Sequence, residues 1–298
     1  MNYRSYADLA RDTWALRMQL PASINAVLGI PRSGMLPASM LAQWLGVPMG
    51  EVNSFAANRQ LFTSGNRLND GAGHTGLILV VDDSVYRGSA MHHAKKSLRT
   101  CLPHAKFIYA AVYRDSDSAA SLRTSIDYFA VDLPRPRYFQ WNLPDHPDCG
   151  NFMFDIDGVL CHDPTVPDND DDAYVDAITN AKPLFRPSRP IGPLVTNRLE
   201  RWRGVTEMWL KENKIEHGPL IMSNHETAKE RREAKKRAEV RSGFSCGYGA
   251  YKGYVYRESD CVLLVESNRE QAWTAAIVSG KPVLCYSTGE LFDEGKIK

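Results

Sequence analysis

An apolar run followed at once by two carboxylates constrains the fold of this chain more than any other feature of its sequence. The run covers residues 77–81, Asp82 and Asp83 follow it, and a short loop with Gly88 leads to a helix that begins near Ser89. A run this uniformly apolar predicts a parallel strand that is covered on both faces. Ligands of such sheets bind at the carboxyl ends of the strands, and a loop that opens a helix can offer backbone N–H groups to a phosphate. The pattern therefore predicts an α/β fold with a phosphate-binding loop beside paired acids.

This segment resembles the ribose-phosphate motif of type I phosphoribosyltransferases. The order Asp-Asp-Ser-x-x-Arg-Gly is especially close to the version found in glutamine amidophosphoribosyltransferases. The resemblance implies that Asp82 and Asp83 accept hydrogen bonds from the ribose hydroxyls of phosphoribosyl pyrophosphate. The expected phosphate-binding residues of the loop are Tyr86, Arg87, Gly88 and Ser89. Many family members carry two threonines where Tyr86 and Arg87 stand, but binding by backbone amides should survive this change. An ordinary strand, turn and helix with two solvated acids is the alternative.

A second loop that resembles the same family lies about fifty residues earlier in the chain. Residues 27–38 read Val-Leu-Gly-Ile-Pro-Arg-Ser-Gly-Met-Leu-Pro-Ala and match the family loop that binds pyrophosphate through backbone amides, often with a non-proline cis peptide. The predicted contacts are Arg32, which adds positive charge, Ser33, and Gly34, which allows the backbone to approach closely. The two loops together predict a phosphoribosyltransferase domain over residues 1–145.

The aromatic residues 138–141 stand where purine-salvage members of the family carry a segment that covers the base. Trp141 could stack on a flat heterocycle, which makes it a candidate contact for a base or nucleotide. Packing of these aromatic rings at a domain interface is an equally weighted alternative. The sequence does not identify the acceptor.

A second strand with paired acids follows residues 133–150, which are rich in proline and aspartate and are interpreted as a linker. Residues 152–160 read Phe-Met-Phe-Asp-Ile-Asp-Gly-Val-Leu, so Asp155 and Asp157 point the same way from an extended chain. This resembles the haloacid dehalogenase superfamily of phosphohydrolases, whose first motif is DxDGxL. The resemblance implies a second domain over residues 150–298, with Asp155 as the nucleophile and Asp157 as the general acid–base.

The later motifs of that superfamily are placed by the same resemblance. Thr196 would hold a phosphate oxygen, and Lys252 would neutralise the nucleophile and the phosphate. Glu266 stands where the family usually shows two acids, so the expected Mg²⁺ site has one carboxylate fewer than is usual. Its ligands would be Asp155, the carbonyl of Asp157 and Glu266, with waters completing an octahedron. About 35 residues separate the first two motifs, which allows a small lid and leaves room for a bulky phosphate such as a nucleotide.

Strands and helices alternate along the whole chain. This predicts two doubly wound α/β domains, each a mainly parallel sheet flanked by helices. The predicted helices cover residues 5–20, 36–45, 89–100, 199–213, 225–241 and 268–279. The predicted strands cover residues 26–30, 77–81, 107–112, 128–131, 152–154, 193–196, 219–222, 261–265 and 282–286. Residues 51–76 are interpreted as a mobile loop, and the inward positions of the first helix as Leu9, Trp14, Leu16 and Leu20.

Charge and composition exclude some functions. A net charge of +1 gives no global electrostatic case for binding nucleic acid or a membrane. In the basic run 229–237, Glu230 and Glu233 are interleaved with the cations, which favours a solvated helix face over a nucleic-acid surface. No apolar run approaches the roughly 20 residues of a membrane span, and the first residues lack the apolar core of a signal peptide. Six scattered cysteines without a CxxC pair favour reduced thiols in a cytoplasmic protein.

These patterns favour a bifunctional enzyme of nucleotide metabolism. The first domain would transfer phosphoribose from phosphoribosyl pyrophosphate to a base-like acceptor. The second would hydrolyse a phosphate monoester, expected to be the nucleotide product, to a nucleoside. Two alternatives stay open: a regulator that binds phosphoribosyl pyrophosphate without transferase chemistry, and a nucleic-acid-processing phosphatase. A homodimer is compatible with the sequence, which does not identify the oligomeric state.

Overall fold

The chain divides into two compact units, Met1–Trp141 and Asn142–Lys298. The computed structural model describes residues 1–63, 76–115, 126–242 and 246–293. Each unit is built on a largely parallel sheet flanked by helices, which confirms the α/β class and the parallel sheets expected from the alternating pattern.

The first unit contains a five-stranded parallel sheet in the order β3-β2-β4-β5-β6, and a separate parallel pair of β1 with β7. Its strands are β1 (Asn2–Arg4), β2 (Ile24–Gly29), β3 (Met49–Glu51), β4 (Leu77–Val85), β5 (Lys106–Arg114), β6 (Tyr128–Asp132) and β7 (Arg137–Phe139). Its helices are α1 (Tyr6–Arg17), α2 (Met35–Leu45), α3 (Val52–Asn58) and α4 (Ser89–Cys101). β4 lies at the centre of the sheet, with Leu79 and Val81 in one hydrophobic cluster and Ile78 and Val80 in another. The apolar run is therefore covered on both faces, as predicted.

The first helix buries a different stripe from the one that the sequence suggested. Leu9, Leu16 and Leu20 are buried as predicted, but Trp14 is 50% exposed and packs edge-on against Trp44. Residue 13, not residue 14, continues the helical stripe that runs through 9, 16 and 20. Thr13 is the buried residue, and its hydroxyl donates a hydrogen bond to the Leu9 carbonyl one turn earlier.

The polar stretch 51–76 is more ordered at its start than a loop. It opens with the last residue of β3 and with α3, whose N-cap is Glu51. The Glu51 carboxylate accepts from the backbone N–H groups of Asn53 and Ser54 at 2.6 and 2.8 Å. Because such a cap satisfies orphan donors of the first turn, a short and polar sequence can still form a helix. Residues 64–75 of the predicted loop lie outside the described residues.

The stretch 133–150, interpreted from sequence as a linker, is largely structured. It contributes β7 to the first unit and two 3₁₀ turns, Leu143–Asp145 and Pro147–Asn151, to the second. The backbone N–H of Gly192 donates to the Cys149 carbonyl at 2.9 Å, which ties the later turn to the second unit. Proline and aspartate mark turns as readily as they mark linkers.

The second unit is a six-stranded sheet in the order β10-β9-β8-β11-β12-β13, in which only β13 is antiparallel. Its strands are β8 (Phe152–Phe154), β9 (Leu194–Leu199), β10 (Leu220–Ser223), β11 (Leu263–Glu266), β12 (Val283–Cys285) and β13 (Glu290–Phe292). Its helices are α5 (Asp172–Thr179), α6 (Arg203–Glu212), α7 (Ala228–Ser242), α8 (Gly247–Arg257) and α9 (Arg269–Ser279), and a 3₁₀ turn covers Glu200–Trp202. β8 lies between β9 and β11, so the carboxyl ends of these three parallel strands meet at one edge.

Three elements of the second unit, α5, α8 and β13, were not predicted. α8 carries Gly247, Gly249 and Gly253, which are poor helix formers and hide its pattern. A methyl group at Gly249 would lie 2.6 Å from the Gln271 carbonyl oxygen, so α8 packs with its backbone directly against α9.

Within the described ranges, the structure contains no helix with the length and apolarity that crossing a bilayer requires. All six cysteines are free thiols, and of these only Cys101 is exposed.

Candidate functional site

The first candidate site lies at the carboxyl end of β4, which continues through the paired acids to Val85. The Asp82 and Asp83 side chains are both buried, and the backbone N–H of Asp83 donates to Asp82 Oδ1 at 2.9 Å. Burial, and secondarily the neighbouring Asp83 carboxyl, raise the pKa of Asp82 well above its usual value. Burial also raises the pKa of Asp83. Carboxylates kept in this environment favour a partner that brings hydrogen-bond donors.

The loop between β2 and α2 meets this pair directly. A methyl group at Gly34 would lie 2.9 Å from Asp82 Oδ1 and 2.5 Å from the Ile30 carbonyl oxygen, so only glycine fits there. The Pro31–Arg32 peptide bond is cis, the conformation that the resemblance implied for this loop. Arg32 is exposed and Ser33 is half-buried. The structure thus brings the two predicted loops of the first domain together.

The loop after β4 leads into α4 through Gly88, whose φ of 74° lies in the left-handed region that favours glycine. Tyr86, Arg87 and Ser89 are exposed. The Arg135 guanidinium lies 4.8 Å from the centre of the Tyr86 ring, and that of Arg87 lies 5.5 Å from it. The loop thus presents an aromatic ring between two cations.

Trp141 contacts the acid pair. Its indole N–H donates to Asp83 Oδ2 at 2.7 Å, and its ring stacks on Phe139 at 4.9 Å between centroids, with Tyr113 at 6.3 Å. These contacts lie within the first unit and need no base, and they do not test packing at a domain interface, the alternative that the sequence left open.

Sequence reasoning missed Arg137, which is buried and whose charge opposes the rise in the pKa of Asp83. It lies on β7, within the stretch that was interpreted as a linker.

The second candidate site lies at the carboxyl end of β8. Phe154 pairs with Val265 of β11, so Asp155 and Glu266 follow on adjacent strands. Lys252 on α8 donates from Nζ to Asp155 Oδ2 at 2.6 Å and also to Glu266. Burial and the Glu266 charge raise the pKa of Asp155 well above its usual value, against the effect of Lys252. Burial alone would lower the pKa of Lys252, but the two carboxylates together raise it. The structure therefore brings together three of the predicted residues of this site.

Asp157 has a partner that sequence reasoning missed. Arg198 holds it with two hydrogen bonds, Nη2 to Oδ1 at 2.6 Å and Nε to Oδ2 at 3.1 Å. The Arg198 side chain is fully buried; burial would lower its pKa, but Asp157 raises it. Such a paired contact fixes the plane of the carboxylate as well as its position. A signal was available, because Arg198 follows Thr196 by two residues on a strand and so shares its side of the sheet.

Thr196 is fully buried, and its hydroxyl oxygen accepts from the backbone N–H of Arg198 at 3.2 Å. The two residues that follow it, Asn197 and Arg198, line a cavity of about 590 Å³. Asp155, Asp157 and Lys252 also line this cavity, whereas Thr196 and Glu266 are not among its described lining residues. Thr196 thus supports the neighbouring chain at the cavity wall.

The segment between β8 and α5 closes one side of the cavity and is bound to α7. The Asp170 carboxylate accepts from the backbone N–H of Ala228 at 2.9 Å, and the Asp168 carbonyl accepts from Arg232 at 2.6 Å. This lid segment and α5 occupy the interval between the first two motifs, where the spacing allows a small lid.

The basic helix α7 is not a solvated face throughout, because the Arg231 and Lys235 side chains are buried. The run of charges suggested exposure, but Asp168 on the lid segment lies 3.1 Å from Arg231. Lys235 Nζ lies 3.9 Å from the centre of the Tyr251 ring. Burial, together with the nearby charges of Arg231 and Lys252, lowers the pKa of Lys235 to about 7.

The predicted metal ligands offer oxygen donors only. In the part of the chain that the structure describes, no three His, Cys, Asp or Glu side chains are grouped to hold a metal ion. The set consists of the Asp155 and Glu266 carboxylates and the Asp157 carbonyl, which also accepts from the Ser267 hydroxyl at 3.1 Å. Hard oxygen donors of this kind fit Mg²⁺, which commonly retains several waters beside one or two carboxylates.

Comparison with known proteins places the first unit in a family. Residues 2–135 match the family model described as phosphoribosyl transferase domain. Similar solved structures include Helicobacter pylori xanthine-guanine-hypoxanthine phosphoribosyltransferase, with 21% identity, 47% of this chain and 92% of that chain covered, and a TM-score of 0.36. A purine phosphoribosyltransferase from Pyrococcus horikoshii has 17% identity, the same two coverages and a TM-score of 0.34. Orotate phosphoribosyltransferase from Aeropyrum pernix has 23% identity, coverages of 43% and 70%, and a TM-score of 0.32. On the family match alone, residues 2–135 are assigned to a phosphoribosyl transferase domain.

Proposed function

We propose that the chain is a bifunctional enzyme. The first unit transfers phosphoribose from phosphoribosyl pyrophosphate to a nitrogenous base, and the second hydrolyses a phosphate monoester, the nucleotide product, to a nucleoside. The observation that carries the proposal is that each unit holds paired carboxylates at the carboxyl end of a central parallel strand. This is the edge at which open α/β sheets bind ligands.

For the transferase, the support is the family match and the contact between the two loops at Gly34 and Asp82. Asp82 and Asp83 accept from the ribose hydroxyls, and the backbone amides of the two loops hold pyrophosphate and 5′-phosphate. A nitrogen of the base attacks the anomeric carbon, the bond from that carbon to the pyrophosphate oxygen breaks, and pyrophosphate leaves with the electron pair while the proton of the attacking nitrogen passes to solvent. The site orients both reactants, which lowers the entropic part of the barrier.

For the phosphatase, the support is the arrangement of Asp155, Lys252 and Glu266 at one sheet edge. The Asp155 carboxylate attacks phosphorus, the bond to the leaving oxygen breaks, and Asp157 gives that oxygen its proton. Water then attacks the aspartyl phosphate, returns a proton to Asp157 and releases inorganic phosphate. Lys252 neutralises the nucleophile and the phosphate, and Arg198 positions Asp157. A magnesium ion held by Asp155, the Asp157 carbonyl and Glu266 would reduce the charge repulsion between carboxylate and phosphate.

The decisive experiment incubates the protein with phosphoribosyl pyrophosphate, Mg²⁺ and a pool of bases, and follows products by mass spectrometry. The wild type should release pyrophosphate and inorganic phosphate in equal amounts and accumulate a nucleoside. Asp155→Asn removes the nucleophile and should lower phosphate release by about 10³-fold or more, so that the 5′-nucleotide accumulates.

The same experiment separates the proposal from its alternatives. A protein that binds phosphoribosyl pyrophosphate but releases no pyrophosphate with any base would be a regulator, and the transferase proposal would fail. An Asp155→Asn variant that hydrolyses an aryl phosphate at the wild-type rate would contradict the phosphatase proposal. A wild type that stops at the 5′-nucleotide would show that the two sites do not act in sequence.

A further inference from the structure

The cavity of the second unit carries a polar wall for which the phosphate chemistry has no use. Besides Asp155 and its partners, the lining includes Asp168 from the lid segment, Asn197 from β9, and Arg231 and Tyr248 from α7 and α8. The cavity volume of about 590 Å³ lies within the range of roughly 300–1,000 Å³ that is typical of ligand pockets. A phosphate group alone would leave most of this space unfilled.

Three residues that line this wall each carry a buried atom without a hydrogen-bond partner: Asp168 Oδ2, Asn197 Oδ1 and Arg231 Nε. The Asp168 and Arg231 side chains are 6% and 7% exposed. Arg231 Nη1 lies 3.1 Å from Asp168 Oδ2 without forming an aligned hydrogen bond, and donates instead to the Asn197 carbonyl at 2.7 Å. Buried polar atoms without a hydrogen-bond partner are unfavourable, so a ligand that pairs with them gains affinity.

The unmet atoms define the chemistry of that ligand. Two of them are acceptors and one is a donor, so the ligand must supply at least two donors and one acceptor. Hydroxyl groups on neighbouring carbons meet this demand, because each hydroxyl both donates and accepts. The ring of Tyr248 adds an apolar surface against which a sugar or base can pack.

Charge excludes a second phosphate from this wall. Among the described lining residues, each Lys and Arg already faces a carboxylate: Lys252 faces Asp155, Arg198 faces Asp157 and Arg231 faces Asp168. Asp163 adds a further acid to the lining. Because these cations are already paired with carboxylates, a second phosphate on the substrate would be repelled by the acids of this wall.

We propose that Asp168, Asn197 and Arg231 form a subsite for the neutral, hydroxyl-bearing leaving group of the phosphate monoester, that is, for the pentose. This inference rests on the proposed phosphatase function and deepens it. The pentose can belong to a free sugar phosphate or to a nucleoside 5′-monophosphate, which present the same hydroxyls. The subsite discriminates against a substrate with a second phosphate on the sugar.

The test measures kcat/KM for ribose 5-phosphate, a nucleoside 5′-monophosphate, a nucleoside 3′,5′-bisphosphate and an aryl phosphate without hydroxyls. The wild type should prefer both monophosphates over the bisphosphate and over the aryl phosphate. A higher kcat/KM for the nucleoside 5′-monophosphate than for ribose 5-phosphate would show that the base also binds. Equal kcat/KM values for the two would assign the recognition to the pentose alone.

Asn197→Ala removes one acceptor and should lower the ratio of pentose phosphate to aryl phosphate kcat/KM by about tenfold. Arg231→Lys, which keeps the charge but loses the Nε donor, is the second variant and should lower the same ratio. Lys229→Ala is the matched control, since Lys229 is an exposed residue of α7 and should leave the ratio at its wild-type value.

The outcomes separate this inference from the proposed function. Hydrolysis of the aryl phosphate with no preference for pentose phosphates, or with unchanged ratios in both variants, would overturn the subsite and leave the phosphatase standing. A bisphosphate preferred over the monophosphate would also overturn it. Failure to hydrolyse any of the four compounds would overturn the phosphatase proposal and the subsite together.

Discussion

The two carboxylate sites differ in how their charge is balanced. Asp82 and Asp83 are buried with one indole N–H as a direct side-chain donor and with Arg137 as a more distant cation. Asp155 is in direct contact with the Lys252 ammonium. Asp157, likewise, is held by two donors of one guanidinium.

This difference suits the two carboxylate sites to different roles. An acid pair without a directly bonded cation keeps acceptors for donors that the ligand brings, which suits recognition of sugar hydroxyls. An acid bonded directly to a cation is oriented before the ligand arrives, which suits chemistry at a charged phosphorus. On the proposed functions, the first site is therefore completed by its ligand, whereas the second is largely preorganised.

Breaking the pairing in the second site should give the largest effect. Lys252→Met leaves Asp155 and Glu266 buried without their cation, so we expect a loss of about 3–5 kcal/mol in the free energy of unfolding. The hydrolysis rate should also fall on the order of 10²- to 10³-fold. Chemical denaturation and aryl phosphate turnover measure the two effects, and exposed Lys229→Met is the control. A variant as stable and as active as the wild type would refute the preorganised site.

The corresponding change in the first site should weaken binding while stabilising the free protein. Asp82→Asn removes a charged acceptor, so affinity for phosphoribosyl pyrophosphate should fall roughly 10- to 100-fold in calorimetry. The raised pKa of Asp82 means that the folded state holds this proton more tightly than the unfolded state. Folding stability from this group is therefore greatest at low pH and declines as pH rises above the unfolded pKa of about 4.

Asparagine cannot ionise, so the thermal midpoint of Asp82→Asn should exceed that of the wild type at pH 7, with the gain vanishing near pH 4. Exposed Asp132→Asn is the control, since it removes a carboxylate that already pairs with Arg114. An Asp82→Asn variant that is equally destabilised at both pH values would contradict the charge argument.

A conservative substitution tests the two hydrogen bonds that Arg198 donates to Asp157. Arg198→Lys keeps a positive charge but loses the fork that fixes the carboxylate plane. We expect kcat for the monoester to fall about tenfold with little change in KM. Arg257→Lys, an exposed arginine paired with Glu258, is the control. An unchanged kcat would show that charge alone suffices and that preorganisation does not depend on geometry.

The smallest effect is expected at Trp141. Trp141→Phe keeps an aromatic ring next to Phe139 but removes the donor to Asp83, so affinity for phosphoribosyl pyrophosphate should fall about two- to tenfold. If Trp141 only packs and positions Asp83, the order of preference among bases should not change. A changed order of preference among the bases would instead support stacking of Trp141 on the base. Trp14→Phe, on the exposed face of α1, is the control for calorimetry and for the competition assay.

The parts of each site that sequence could predict are local. An apolar run that ends in acids is visible along the chain, so β4 with Asp82 and β8 with Asp155 could be placed from pattern alone. The cation partners of the second site are distant in sequence, and only Lys252 was placed, through the family resemblance. Arg198 reaches Asp157 from another strand, and its spacing from Thr196 indicates its side of the sheet but not its contact with Asp157.

Burial of the charged helix α7 could not be predicted for a related reason. Its run of cations is typical of a solvated face, and the exposed Lys229 and Glu230 conform to that pattern. Arg231 is buried because Asp168, which precedes it by two strands and two helices, supplies the opposite charge. Patterns within one helix describe its faces, but not which neighbour covers them.

The glycines of α8 have a consequence for how the second site can change over time. Where helices meet through side chains, a mutation can be absorbed by repacking, and the geometry of a site can drift by small steps. At Gly249 and Gly253 the added carbon would lie 2.6 and 2.9 Å from backbone carbonyl oxygens of α9, and a backbone cannot choose another rotamer. Lys252 sits beside these contacts, so its place is fixed by main chain on both sides. We therefore expect new substrate preferences to arise through the residues of the lid segment and of β9, and not through Gly249 and Gly253 of α8.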